Sequence, residues 1–316
     1  MPGSNRLYEI ISEEALSQPE VSGELLDPYI NLFKEIYGEK LEAVIFYGSC
    51  LSEKTRKPDS TPDFFVITAD GKIANHSFFT RLLHNFVPPN SQTARLEGGT
   101  LFKYIHLDTE QLQSATNPGM KDLFVAGRLS KRVKLVYLRD DGVKKAVVAS
   151  LLNALYSILP LAFAFLPHRF SFRELLRAAV GVSYLSEWRV EAAGKIEALI
   201  SASSEYYERL YREAAETAEE RGLIKKAEDD MYEKALLIDA EKRAKRFMLA
   251  SRIRGVLRWP KYLLTVKGWS EIIVSKIERT HPDIKLNPRH KRHPIIFGFP
   301  YLIFLLTKGY IGTHRT

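Results

Sequence analysis

"FYGSCLSEKTRKPDSTPDFFVI", residues 46–67, closes one apolar run on a Gly-Ser pair and opens the next on an aspartate. The flanking runs, "EAVIFY" at 42–47 and "DFFVIT" at 63–68, are short, β-branched and aromatic, with polar turn residues on either side, which predicts two strands. Gly48 can turn sharply without a Cβ clash, so the amides after it and the Ser49 hydroxyl can face a phosphate. Asp63, at the start of the second strand, can hold a divalent cation against the same phosphates. A Gly-Ser turn with an aspartate a dozen residues on occurs in many folds, so a plain polar loop between two strands stays open on these residues alone.

Outward from this stretch, "GTLFKYIHLD" at 99–108 and "RVKLVYL" at 132–138 predict two further strands. Helical apolar spacing begins near Lys144 and runs through "VVASLLNALYSIL", turning a mixed α/β pattern into a mainly helical one. "RDDG" at 139–142 therefore marks a boundary, giving a sheet-bearing domain over 1–140 and a helical domain over 141–260. Residues 205–250 are rich in Glu, Lys, Arg, Ala and Tyr and break at Gly222, which predicts two solvated helices in an antiparallel pair.

The formal net charge of +8 is concentrated at one end. Residues 251–316 carry 13 Lys or Arg against three acids, so the remainder of the chain is slightly acidic. "RIRGVLRWPKYLLTVKGW" interleaves cations with apolar and aromatic residues, and "KLNPRHKRHP" sets a dense basic cluster before the 12-residue run "IIFGFPYLIFLL". Basic residues beside an apolar segment too short to span a bilayer predict a membrane-associating region over 261–316, in contact with an anionic surface. Lys285, Arg289, Lys291 and Arg292 supply the charge there, and Phe299, with its aromatic neighbours, the insertion. A buried C-terminal helix after a basic loop is the alternative. "LLNALYSILPLAFAFLP" at 151–167, with Asn153 and two prolines, is expected not to span. Acids near the N-terminus argue against a secretory or mitochondrial presequence and predict a bacterial cytoplasmic address. The single Cys50 excludes an internal disulfide and reads as a packing residue. His76, His84 and His106 have no metal-ligand spacing.

The pattern of apolar strand, Gly-Ser and strand aspartate resembles the nucleotidyltransferase superfamily, in which a second carboxylate two residues after the first completes a metal site. Here that position is Phe65. "YGS" followed by a lone aspartate in "DFFVI" is similar to the phosphatidate cytidylyltransferases of the mitochondrial translocator assembly and maintenance type. "LFVAGRLSKRVKLVY" at 123–137 and "VSYLSEWRVE" at 182–191 resemble two further segments of that family in the same order, and Lys103 in "LFKYIHL" resembles a third. "SRIRGVLRWPK" at 251–261 is a looser match. The chain departs from the family pattern at Arg132, at Ser186-Glu187, and in a shorter segment between Asp63 and Lys103.

The resemblance implies an α+β protein with a nucleotidyltransferase-like mixed sheet, a mainly helical second domain and a basic amphipathic tail. It implies cytidylyl transfer from CTP to phosphatidic acid, giving CDP-diacylglycerol and pyrophosphate, with Mg²⁺, on the inner face of the cytoplasmic membrane and with no nucleic-acid partner. Asp63 would hold the metal, Lys103 and Glu187 would assist catalysis, and Tyr47, Gly48, Ser49, Arg128 and Lys131 would bind the nucleotide. Arg189 would contact the lipid phosphate. Arg132 and Lys134 join Arg128 and Lys131 as candidate phosphate-binding cations, and Glu187 stands ahead of Asp59 and Asp108 as the missing carboxylate. Two other functions remain open: nucleotidyl transfer to RNA or a small hydroxylated acceptor, and a membrane- or nucleic-acid-binding protein without chemistry.

Overall fold

The computed structural model describes residues 2–56, 61–70, 89–185, 194–235 and 239–265. Strand β1 (Leu41–Tyr47) runs through the middle of the N-terminal half, buried along almost its whole length. A strand covered on both faces reads as a continuous apolar run, which is why "LEAVIFY" shows no polar alternation. Ala43 and Ile45 enter one apolar cluster, Val44 and Phe46 the other.

β2 (Asp63–Thr68) pairs antiparallel with β1, and β4 (Leu101–Asp108) lies parallel on the far side of β2. β3 (Asn90–Arg95) forms one edge against β4, and β5 (Val133–Leu138) the other against β1, giving the order β3-β4-β2-β1-β5. This mixed sheet, followed by helices, bears out the α+β expectation. β3 reads "NSQTAR", and its polar composition hid it from sequence reasoning. As an edge strand it gains its ladder from β4 alone.

Two N-terminal helices cover the sheet. On α2 (Gly23–Tyr37), Leu26, Tyr29, Phe33 and Tyr37 are spaced along one helical face and pack on Val44, Phe46, Phe64 and Phe102. α1 (Pro2–Leu16) sets Leu7, Ile10, Ile11 and Ala15 against the opposite side, which it shares with α5 (Asp141–Phe165). Between β4 and β5 lie α3 (Thr109–Thr116), closed by a capping box of Asp108 and Gln111, and the single turn α4 (Ala126–Leu129).

α5 begins on Asp140, whose carboxylate accepts the Val143 N–H at 2.9 Å. It runs unbroken through Pro160 and is long and apolar enough to cross a bilayer, but Val147, Leu151, Leu155, Ile158 and Ala162 fill the interior, as in the core helix of a folded domain. Its apolar cluster includes Ile10, Ile45 and Tyr211, so residues on both sides of position 140 share one core.

β6 (Arg169–Ser171), α6 (Phe172–Leu185), α7 (Lys195–Ala202) and α8 (Ser204–Glu220) follow. The 205–250 stretch does not form the expected antiparallel pair of solvated helices. α8 buries Tyr207, Leu210, Tyr211, Ala214 and Ala218, so only one of its faces is wet. After Gly222, at φ +67°, the chain forms the hairpin β7 (Ile224–Lys226) and β8 (Met231–Lys234), which completes a second sheet in the order β6-β8-β7. The last described element, α9 (Ala240–Thr265), passes straight across residue 260.

Candidate active site

β1 and β2 set the first half of the site by register. Tyr47, at the end of β1, pairs with Asp63, at the start of β2, and on its other side with Val133 of β5. The Phe64–Tyr104 pairing brings Lys103 alongside Asp63, with Lys103 Nζ 3.9 Å from Asp63 Oδ1. Four strands thus deliver Lys103, Asp63, Tyr47 and the chain entering Val133 to the same end of the sheet.

Gly48 is the hinge of this arrangement. Its backbone sits at φ +93°, ψ −163°, a conformation essentially reserved for glycine. A Cβ there would stand 3.2 Å from Asp63 Oδ2, so the missing side chain leaves the carboxylate uncovered. Ser49–Leu51 then forms a 3₁₀ turn, pinned where the Thr55 hydroxyl donates to the Ser49 carbonyl at 2.7 Å. Cys50 is buried and donates to the Thr61 carbonyl at 3.5 Å, tying the two arms of the loop together as a packing residue.

Phe65 occupies the position of the expected second carboxylate, fully buried, with its ring 4.7 Å from that of Tyr47. A carboxylate there would lie inside the apolar core without solvent, which costs far more than an exposed acid. Asp108, weighed as a substitute, caps α3 at the opposite end of β4 and is removed from the site. Asp59, Glu187 and Arg189 lie outside the described residues, as do Lys285, Arg289, Lys291, Arg292 and Phe299.

The second half of the candidate site is the junction of α4 and α6, where the 123–137 segment meets Ser183 and Tyr184, in the described part of the 182–191 segment. Gly127 is pressed against Ser183 so closely that a Cβ would fall 2.4 Å from Ser183 Cβ. At this junction Lys131 Nζ donates to the Ser183 hydroxyl at 2.7 Å and lies 4.0 Å from the Tyr184 ring centre. The Arg128 guanidinium stacks on the Phe124 ring at 3.8 Å. Ser183 was missed from sequence, although it stands inside the matched "VSY" segment.

The four cations expected to act together divide into two pairs. Arg132 is clamped by Glu14 and Glu20, each at 2.7 Å, and Lys134, almost wholly buried, donates to Glu14 and Ser17. Arg132 and Lys134 therefore fasten β5 to the end of α1 and leave the phosphate-binding set. Burial pushes the Glu20 carboxyl up, but hydrogen bonds from Arg132, Ser52 and the Glu53 amide outweigh it and hold it below the usual range. Through these bonds Glu20 joins the loop after Gly48 to the segment carrying Lys131. Burial also lowers the Lys134 pKa, against the opposing pull of Glu14.

Among the described residues, no three His, Cys, Asp or Glu side chains gather to hold a metal. One accessible carboxylate beside a glycine without a side chain suits a Mg²⁺ ion that takes most of its ligands from water and phosphate, because Mg²⁺ is commonly bound through one or two carboxylates plus substrate.

The frame is a mixed-sheet α+β fold with a glycine turn set against a strand carboxylate. Residues 91–265 match the family model described as "Phosphatidate cytidylyltransferase, mitochondrial", over more than half of the sequence, and the chain belongs to that family. Among curated proteins it is similar to the mitochondrial phosphatidate cytidylyltransferase of Xenopus laevis, 35% identical over 117 residues, covering 36% of this chain and 33% of that protein. The Bos taurus protein of the same name is 31% identical over 117 residues, with coverage of 36% and 33%. That of Danio rerio is 31% identical over 94 residues, with coverage of 29% and 27%. The matched stretch thus spans about a third of the length of these relatives.

Proposed function

We propose that the protein transfers the cytidylyl group of CTP to phosphatidic acid, giving CDP-diacylglycerol and pyrophosphate. The observation that carries this reading is the apposition of Gly48 to Asp63, with Lys103 within 4 Å of the carboxylate. In support, the 123–137 segment meets the start of the 182–191 segment at the Gly127–Ser183 contact, and Lys131 stands two residues ahead of Val133, the partner of Tyr47 in the sheet. A phosphate oxygen of phosphatidate attacks the α-phosphorus of CTP, the bond between that phosphorus and the bridging oxygen breaks, and pyrophosphate leaves. With a second pKa of about 6, a phosphate monoester is already largely ionised at neutral pH, so no side chain need remove a proton. This accords with a site of few carboxylates.

Gly48 and Ser49 would cradle the triphosphate, Tyr47 would flank the nucleotide, and Arg128 and Lys131 would offset the charge that develops on the leaving group. Asp63 would hold Mg²⁺, which when bound supplies charge neutralisation on the triphosphate. Glu187 would supply a second carboxylate and Arg189 a contact to the lipid phosphate.

A lipid substrate requires an enzyme that reaches the bilayer, here peripherally, on the inner face of the cytoplasmic membrane. On α9, Leu249, Ile253, Val256 and Leu257 stand exposed at helical spacing among Lys245, Arg246 and Arg252, the pattern of an interfacial helix. With Lys285, Arg289, Lys291, Arg292 and Phe299 further on, this face would bind an anionic surface. Replacing Leu249, Ile253 and Leu257 by Ser is expected to weaken co-sedimentation with phosphatidate vesicles, leaving CTP binding unchanged. Equal sedimentation of both proteins would exclude that face. The reaction itself is tested by incubating α-labelled CTP with phosphatidate vesicles and Mg²⁺: label should enter the lipid phase as CDP-diacylglycerol. Label transferred instead to added RNA, or to no acceptor, would overturn the assignment.

A further inference from the structure

Asp122 lies just ahead of the "LFVAGR" segment and is buried. Its Oδ1 accepts the Phe124 N–H at 3.0 Å, while Oδ2 accepts from Arg258 Nη2 at 2.6 Å and Arg254 Nε at 3.0 Å. The neighbouring Leu123 N–H donates to the Ser251 hydroxyl at 3.1 Å. Ser251, Arg254 and Arg258 lie three and four residues apart, so one face of α9 grips residues 122–124. Phe124 continues the connection: the Arg258 guanidinium lies 4.7 Å from its ring centre, and Arg128 stacks on the same ring at 3.8 Å. Two cations share one aromatic ring, with Asp122 as the carboxylate that neutralises the α9 side. Four residues after Phe124 comes Arg128, and three further on Lys131.

From this geometry we infer that Asp122 is a positioning residue: it anchors the anion-binding segment 124–131 to α9 and so fixes where Arg128 and Lys131 meet the triphosphate. The inference rests on the proposed role of those two cations. A charge-assisted anchor of this kind acts through geometry, because neither Asp122 nor α9 itself need touch the nucleotide.

The test uses the full chain and inorganic tripolyphosphate as the probe, measured by calorimetry at fixed ionic strength, with hydrogen exchange of amides 123–131 recorded alongside. Asp122→Asn keeps the shape and removes the charge. It should weaken tripolyphosphate binding about tenfold and speed exchange across 123–131, an effect of the size seen for residues that act on a site through neighbours. In turnover, KM for CTP should rise with kcat changed little, and KM for phosphatidate should stay as it was. Arg254→Gln, on a partly exposed partner, should move the same readouts in the same direction, and it serves if Asp122→Asn does not fold. Wild-type affinity and exchange in a folded Asp122→Asn protein would overturn the inference, as would a wild-type protein that does not bind tripolyphosphate. Binding that is sensitive to Asp122, in a protein that fails to use CTP with phosphatidate, would uphold the inference and refute the proposed reaction.

Discussion

Gly48 carries two constraints at once, a positive φ and a neighbour in contact. Gly48→Ala would force an L-residue into a region worth about 1–3 kcal/mol of strain and push a methyl group against Asp63. Thermal unfolding should shift downward by a few degrees, and Mg²⁺-dependent nucleotide binding should fall far more than stability does. Binding equal to wild type would show that the close approach has no part in the site. Gly48, Ser49 and Asp63 were legible in the sequence because they are local: a turn residue after one strand and an acid opening the next. Arg132 and Lys134 were not, because a cation in a string of cations carries no mark of its partner, and Glu14 and Glu20 lie far away in the sequence. The burial of Phe65 was equally hidden, although its identity alone announced that the second carboxylate was missing.

At the scale of elements, the strands around Asp63 were readable from their β-branched and aromatic runs, whereas β3 and the β7–β8 hairpin were not. β3 is polar and the two hairpin strands are short, and both draw their stability from neighbours rather than from their own pattern. α8 was half legible: Glu205, Glu208, Arg209, Glu216, Glu219 and Glu220 are exposed, but Tyr207, Leu210, Tyr211 and Ala214, with Glu213 among them, form a buried face beneath. The clasp between α1 and β5 is an interaction of elements, and Glu14→Ala tests it. With Lys134 nearly fully buried, loss of its carboxylate should lower stability by about 3 kcal/mol, read by denaturant unfolding. A loss under about 1 kcal/mol would place the pair in the class of surface contacts. The docking of α9 has a pH signature. Burial, reinforced by Arg258, pushes the Lys261 pKa down to about 7, and its ammonium donates to the Pro89 carbonyl at 3.1 Å. Between about pH 7 and 10 the unfolded chain therefore binds more protons than the folded one, so stability should rise with pH through that window. Below about pH 7 the cost of burying the charge is fully present. Lys261→Met should flatten the rise in unfolding midpoint between pH 7 and 9, and an identical slope in both proteins would contradict the burial of a protonatable amine there.

For the whole molecule, the sheet, the helices and the site converge on one end. Tyr47, Asp63, Lys103 and Val133 come into a row by strand register, and Lys131, two residues ahead of Val133, is held to α6 through the Ser183 hydroxyl. This convergence could not be read from the residues one at a time, since it depends on a β-strand order that departs from sequence order. The resemblance to the family supplied the link between distant segments, and the shared core across residue 140 supplies its physical basis. The most direct measurement is release of pyrophosphate from CTP labelled in its outer phosphates, with Mg²⁺ and phosphatidate in mixed micelles, for the wild-type protein beside Asp63→Ala. Release that depends on the lipid and disappears with the substitution is the expected result. Release that persists in Asp63→Ala, or none from folded, micelle-bound wild type with CTP, would contradict a site built on Gly48 and Asp63.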